Sequence, residues 1–201
     1  MERPSRILTV AFLFPDLSKP WLAMSADERF NAIVARACRF PCCHVELVFE
    51  DGMAFSIFSR SRLFFRQRSF ANPEYRLISL SVPRAEYQAA YAFCAAAMTH
   101  EIGFNEIGIY AAYLQPCPLL YTQPSMEAGH TFCSKVVTEA MQAAGTPEAE
   151  PLVPCTTTPS MLYGALAESR RKIHHTVTYK CEQLRQVGCV FGAPVIREGP
   201  S

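Results

Sequence analysis

The sequence predicts an α+β domain: a central antiparallel sheet with helices packed around it. Three features lead there. Residues 43–49 (CHVELVF) alternate at strand period and run into Asp51-Gly52, a tight-turn pair, with MAFSIFS as the returning strand. Segments rich in alanine at 85–98 and 132–145 repeat apolar residues at helical spacing. Residues 7–14 (ILTVAFLF) form a continuous apolar run, cut by Pro15 and Asp16, that reads as a buried strand.

In chain order, that first strand leads into a proline-bounded loop, PDLSKPW. Ser25 and Glu28 have the spacing of a capping box, so a helix is expected over 26–37, stopped before Pro41. The hairpin of 43–49 follows, with a third strand near 63–66 and a fourth over 75–82. Pro83 stands where a first helical turn would begin, and 85–98 has high helix propensity. A shorter helix is expected at 106–114, then a long loop from 115 to 129 with three prolines and a glycine. The segment FCSKVVTEAMQAAG is the next helix, with Gly145 as its C-terminal cap. Thr158-Pro159 opens another, to about residue 167. HTVTYK at 175–180 reads as a strand, and residues 190–201 as a weakly structured tail.

The 201 residues suit one domain, and with half of them hydrophobic and 18% charged there is ample material for a single core. A formal net charge of +1 gives no long-range attraction for nucleic acid, and no nucleic-acid partner is expected. Arg60, Arg62, Arg66 and Arg68 form one local basic patch. The favoured reading is a strand whose arginines face solvent; the alternative is a rim that attracts an acidic substrate or a lipid headgroup. The run at 7–14 lacks a cleavage site, and no stretch reaches the ~20 apolar residues of a bilayer span. The expectation is a cytoplasmic protein. Nine cysteines, an odd number, argue against a complete disulfide framework, and most are expected as small buried fillers.

Cys133 is distinguished by its place, between a long loop and a well-formed helix. A helix N-terminus stabilises a thiolate, and its first backbone N–H groups can bind an oxyanion. A buried helix cysteine fits the same position equally well. His44 lies on a strand beside a tight hairpin, so a rigid element would fix its ring. Glu46, two residues on, shares its strand face and could orient the imidazole. His130, three residues before Cys133, could touch thiol or substrate, or cap the helix; His100 suits a helix C-terminus, and His174-His175 suit the surface. Cys38, Cys42, Cys43 and His44, with His130-x-x-Cys133, raise a zinc reading, but the spacing fits poorly and would consume the candidate nucleophile.

The strand CHVELVFEDGMAFS followed much later by FCSKVVTEAMQAAG resembles the circularly permuted branch of the NlpC-type papain-like superfamily, which includes YiiX-like proteins, poxviral relatives and the lecithin–retinol acyltransferase group. In that branch the histidine strand precedes the nucleophile helix. His44 to Gly52 and Met53 to Ser56 match the histidine hairpin; Phe132, Cys133, Ser134, Val136, Val137 and Gly145 match the nucleophile segment. TTTPSML (156–162) is similar to the threonine-proline segment of YiiX-like members. The likeness covers roughly residues 40–165 and implies a permuted papain-like core over about 25–180. Cys43 departs from the small or polar residue usual before the histidine, and the third catalytic residue varies in the superfamily, which leaves Glu46 as the best local match. The poxviral relatives raise the case of a viral protein acting in the host-cell cytoplasm.

The resemblance implies a cysteine-dependent hydrolase of an amide, isopeptide, ester or thioester, needing no metal or organic cofactor. Cys133 would be nucleophile, His44 base, Glu46 orienting residue, with Ser134 and His130 near the oxyanion or substrate. Two other expectations stand beside it. One is a lipid acyltransferase or phospholipase, touching a membrane peripherally through 60–68 with Phe64, Phe65 and Phe70. The other is a non-catalytic binding module on the same fold. The acyl substrate would be a peptide, a protein or a lipid.

Overall fold

A computed structural model describes residues 5–37, 41–105 and 129–173. The elements expected at 106–114 and 175–180, most of the loop at 115–129, the tail at 190–201, and Cys38, Cys117, Cys181 and Cys189 lie outside the described residues.

The fold is α+β, on a five-stranded antiparallel sheet. Its strands are β1 (Ser5–Leu13), β2 (His44–Val48), β3 (Met53–Ser56), β4 (Phe64–Gln67) and β5 (Tyr75–Pro83), in the order β4-β3-β2-β1-β5. The hairpin between β2 and β3 turns at Gly52, whose φ of +80° suits glycine; Met53 N–H donates to Asp51 Oδ1 at 3.0 Å inside the same turn. The apolar run of β1 is an interior strand, held by β2 on one side and β5 on the other.

Helix α1 (Ala26–Ala37) begins with the expected reciprocal cap: Glu28 N–H donates to Ser25 Oγ at 3.2 Å, and Ser25 N–H to Glu28 Oε2 at 2.6 Å. Helix α2 (Arg84–Ala97) starts one residue later than expected, because Pro83 ends β5 and serves as N-cap. Helix α3 (Cys133–Ala143) stops before Gly145, at φ +76°. Helix α4 (Pro159–Ala167) is capped by Thr158, whose hydroxyl accepts from Met161 N–H. Short strands β6 (Gly103–Phe104) and β7 (His130–Thr131) pair in parallel just ahead of α3.

Side-chain alternation divides the sheet faces. Val10 and Phe12 of β1, Val45 and Leu47 of β2, and Phe55 of β3 join one core with residues of α2, α3 and α4, among them Ala90, Cys133, Val136, Val137 and Leu162. Ala11, Val48, Ala54 and Phe64 form a second cluster on the opposite face. His44 and Glu46 have the parity of Val48, and both are buried. Among the described residues, no helix is long and apolar enough to cross a membrane.

Candidate active site

His44 is the first residue of β2, so its ring stands at the strand's end. Cys133 opens α3, the helix packed on the Val45–Leu47 face. The fold brings these two side chains, far apart in sequence, into one buried group. Cys133 is 1% exposed and His44 5%. Burial lowers the His44 pKa, but the charge and hydrogen bond of the Cys133 side chain, and then the Glu46 carboxylate, outweigh it and lift the ring to about 9.

Glu46, fully buried, places Oε1 3.6 Å from His44 Nε2, an ion-pair distance longer than a hydrogen bond. Nε2 has no hydrogen-bond partner among the described residues. Burial raises the Glu46 pKa; the contacts with His44 and Arg68 overcome it and hold the carboxyl below its ordinary range. Arg68 forks onto this carboxylate, Nε to Oε2 at 3.1 Å and Nη2 to Oε1 at 2.9 Å. The Tyr75 hydroxyl donates to the same Oε1 at 2.8 Å. Ala11 pairs with Glu46 across β1 and β2, and Tyr75, opposite Leu13 on β5, packs against the cluster that contains Ala11. The phenyl ring of Phe58 stacks on the His44 imidazole, centroids 4.4 Å apart and planes at 21°.

The start of α3 differs from those of α1 and α4 and shares with α2 the lack of a side-chain cap. Its N-cap, Phe132, is extended and makes no side-chain capping bond, whereas Ser25 and Thr158 cap theirs. Its first-turn N–H groups therefore have no capping oxygen from that residue. Ser134, expected near an oxyanion, is fully buried and donates its hydroxyl to Thr157 carbonyl at 2.7 Å, so the side chain ties α3 to the loop before α4. Its backbone N–H is what remains for an oxyanion. His130 is exposed on β7, with its ring against Gly103 rather than inside the buried group.

The basic patch departs from the favoured reading, since of its four arginines only Arg66 lies on a strand and one, Arg68, is not exposed. Arg68 turns inward to Glu46 because a buried carboxylate demands a counter-charge. Arg62 pairs with Glu101 at 3.0 Å, and Arg66 lies 5.0 Å over the Phe64 ring, which is itself buried. Arg68 and Tyr75 were invisible as partners of Glu46 in the sequence. The available signal was parity: Glu46, Phe64 and Arg66 share a sheet face once the strands are in register.

Cys42, Cys43 and Cys94 are buried, and the Cys42 and Cys43 thiols donate to the separate carbonyls of His44 and Leu13, each at 3.6 Å. Among the described residues, no three His, Cys, Asp or Glu side chains are grouped to hold a metal ion. A recess of about 450 Å³ lies beyond the ends of β1 and β5, lined by Phe14, Asp16, Asn72, Pro73, Glu74 and Arg76; Cys133 and His44 do not line it. Comparisons with protein-family models, with curated proteins and with solved structures found no match to this chain.

Proposed function

We propose that the chain is a cysteine-dependent acyl-transfer enzyme, a hydrolase of an amide, isopeptide or (thio)ester bond, on a circularly permuted papain-like core. One observation carries the reading: the buried His44 ring interacts with both the Cys133 side chain, at the start of α3, and the Glu46 carboxylate. The resemblance to permuted papain-like sequences supports the same assignment, since it rests on these two segments.

The chemistry follows from that arrangement. The Cys133 thiolate attacks the substrate carbonyl, forming the S–C bond, while the His44 imidazolium keeps the proton. Charge moves onto the carbonyl oxygen, where the backbone N–H groups of Cys133 and Ser134 receive it. His44 gives its proton to the leaving group as the C–N or C–O bond breaks (the C–S bond in a thioester). Water, or a second nucleophile, then loses a proton to His44 and attacks the acyl-enzyme; the C–S bond breaks, releasing the product and restoring the Cys133 thiolate beside the imidazolium. Glu46 keeps the ring oriented and stabilises its charged form. His130, exposed ahead of α3, has no part at the sulfur in this scheme. The substrate is a peptide, a protein or a lipid acyl group, and no metal or organic cofactor takes part in this scheme. Because thiol and imidazole are almost wholly buried, a substrate reaches them only by displacing what covers them.

The test is covalent labelling by an electrophilic acyl probe. Cys133→Ala should abolish it, and His44→Ala should slow it by about 10²-fold or more. Equal labelling of wild type and Cys133→Ala removes the nucleophile assignment.

A further inference from the structure

We propose that Arg68 and Tyr75 are positioning residues of this site, holding the Glu46 carboxylate as an oriented anion against the His44 ring. The inference rests on the reading of Cys133 and His44 as the reacting pair.

A fully buried carboxylate with no counter-charge takes up a proton, and a neutral Glu46 could not stabilise an imidazolium. Arg68 prevents this with two near-parallel bonds, one to each carboxylate oxygen. Tyr75 fixes the remaining freedom. Its hydroxyl donates to Oε1, the oxygen that faces His44, and it accepts from Arg68 Nη2 at 3.2 Å. The arginine is itself held by aromatic faces, 5.0 Å over Phe58 and 5.6 Å over Phe70. Phe58 is also the ring stacked on His44. One aromatic side chain thus sets the plane of the base and the position of the cation behind its partner.

The groups that bear on Glu46 come from several elements. His44 lies on its own strand, Arg68 just beyond β4, and Tyr75 at the start of β5. Cys43 acts on Tyr75, and Cys133 on His44. A buried ion pair serving the fold alone could sit anywhere on this sheet; this one shares its inner oxygen with the imidazole.

The test is an NMR titration of the His44 ring, in full-length protein carrying Cys133→Ala, so that the sulfur contributes nothing. Glu46→Gln sets the scale and should lower the His44 midpoint by about one pH unit or more. Arg68→Gln should reproduce at least half of that fall, Arg68→Lys should restore part of it, and Tyr75→Phe should give a smaller fall. If Arg68→Gln leaves the midpoint unchanged or raises it while Glu46→Gln lowers it, the positioning role is overturned, since loss of a nearby cation by itself raises an imidazole. Should Arg68→Gln fail to fold, Arg68→Lys and Tyr75→Phe decide: two midpoints equal to that of the Cys133→Ala parent overturn the role. A failure of acyl-probe labelling at Cys133 would sink the thiol reading and leave this titration standing on its own.

Discussion

An imidazole taken out of water moves toward its neutral form, yet His44 goes the other way, to about 9, because a sulfur and a carboxylate flank it. The consequence for stability has a definite sign. The folded value lies above the ~6.5 of a free imidazole, so the contribution is fully present below about pH 6.5 and is lost as pH rises through 9. Its size is at most about 3 kcal/mol, at about 1.4 kcal/mol for each pH unit between the free and folded values. Urea unfolding at pH 6 and pH 9.5 should show wild type losing stability over that window relative to His44→Gln. A difference between the two proteins that is constant with pH would count against the charged ring. Glu46 as a member of the group was legible in the His-x-Glu spacing, because strand parity is a local property. Arg68 was not, because its partner is chosen by pairing between strands, which local alternation does not specify.

At the scale of elements, local chemistry spoke most clearly at helix ends and turns. Ser25 with Glu28, and Thr158 with Pro159, marked the starts of α1 and α4, and those caps form with the expected donors and acceptors. Ser25→Ala and Thr158→Ala should each cost about 1 kcal/mol in chemical denaturation and leave acyl-probe labelling of the folded protein unchanged. The Asp51-Gly52 turn was equally readable. Gly52→Ala should cost about 1–2 kcal/mol, because a Cβ there meets a positive φ and stands 2.9 Å from Gln67 Oε1. The contrast with α3 is informative: its N-cap position holds Phe132, which is buried instead of capping. Helix α2 likewise begins without a side-chain cap, at Pro83, so the cysteine and not the missing cap sets the start of α3 apart.

At the scale of the whole molecule, β1 joins two parts of the chain that a linear reading treats separately. It pairs with β2 through Leu13 and His44 and with β5 through Leu13 and Tyr75, so the imidazole and the tyrosine behind its carboxylate flank one residue. Strand identities were legible from alternation and turns, but the order β4-β3-β2-β1-β5 was not, since it depends on which apolar faces α2 and α3 cover. The meeting of α3 with β2 was expected only through resemblance to permuted papain-like sequences; no local pattern requires it. The central claim is that this meeting makes one cysteine reactive, and the molecule contains its own control. Cys94 is as buried as Cys133, in apolar surroundings where burial alone pushes its thiol up. Limiting iodoacetamide at pH 7, followed by peptide mapping, compares the two directly. Cys133 should be alkylated well ahead of Cys94 in the wild type and should fall back toward it in His44→Gln. Equal, slow alkylation of both thiols in the wild type would contradict the account.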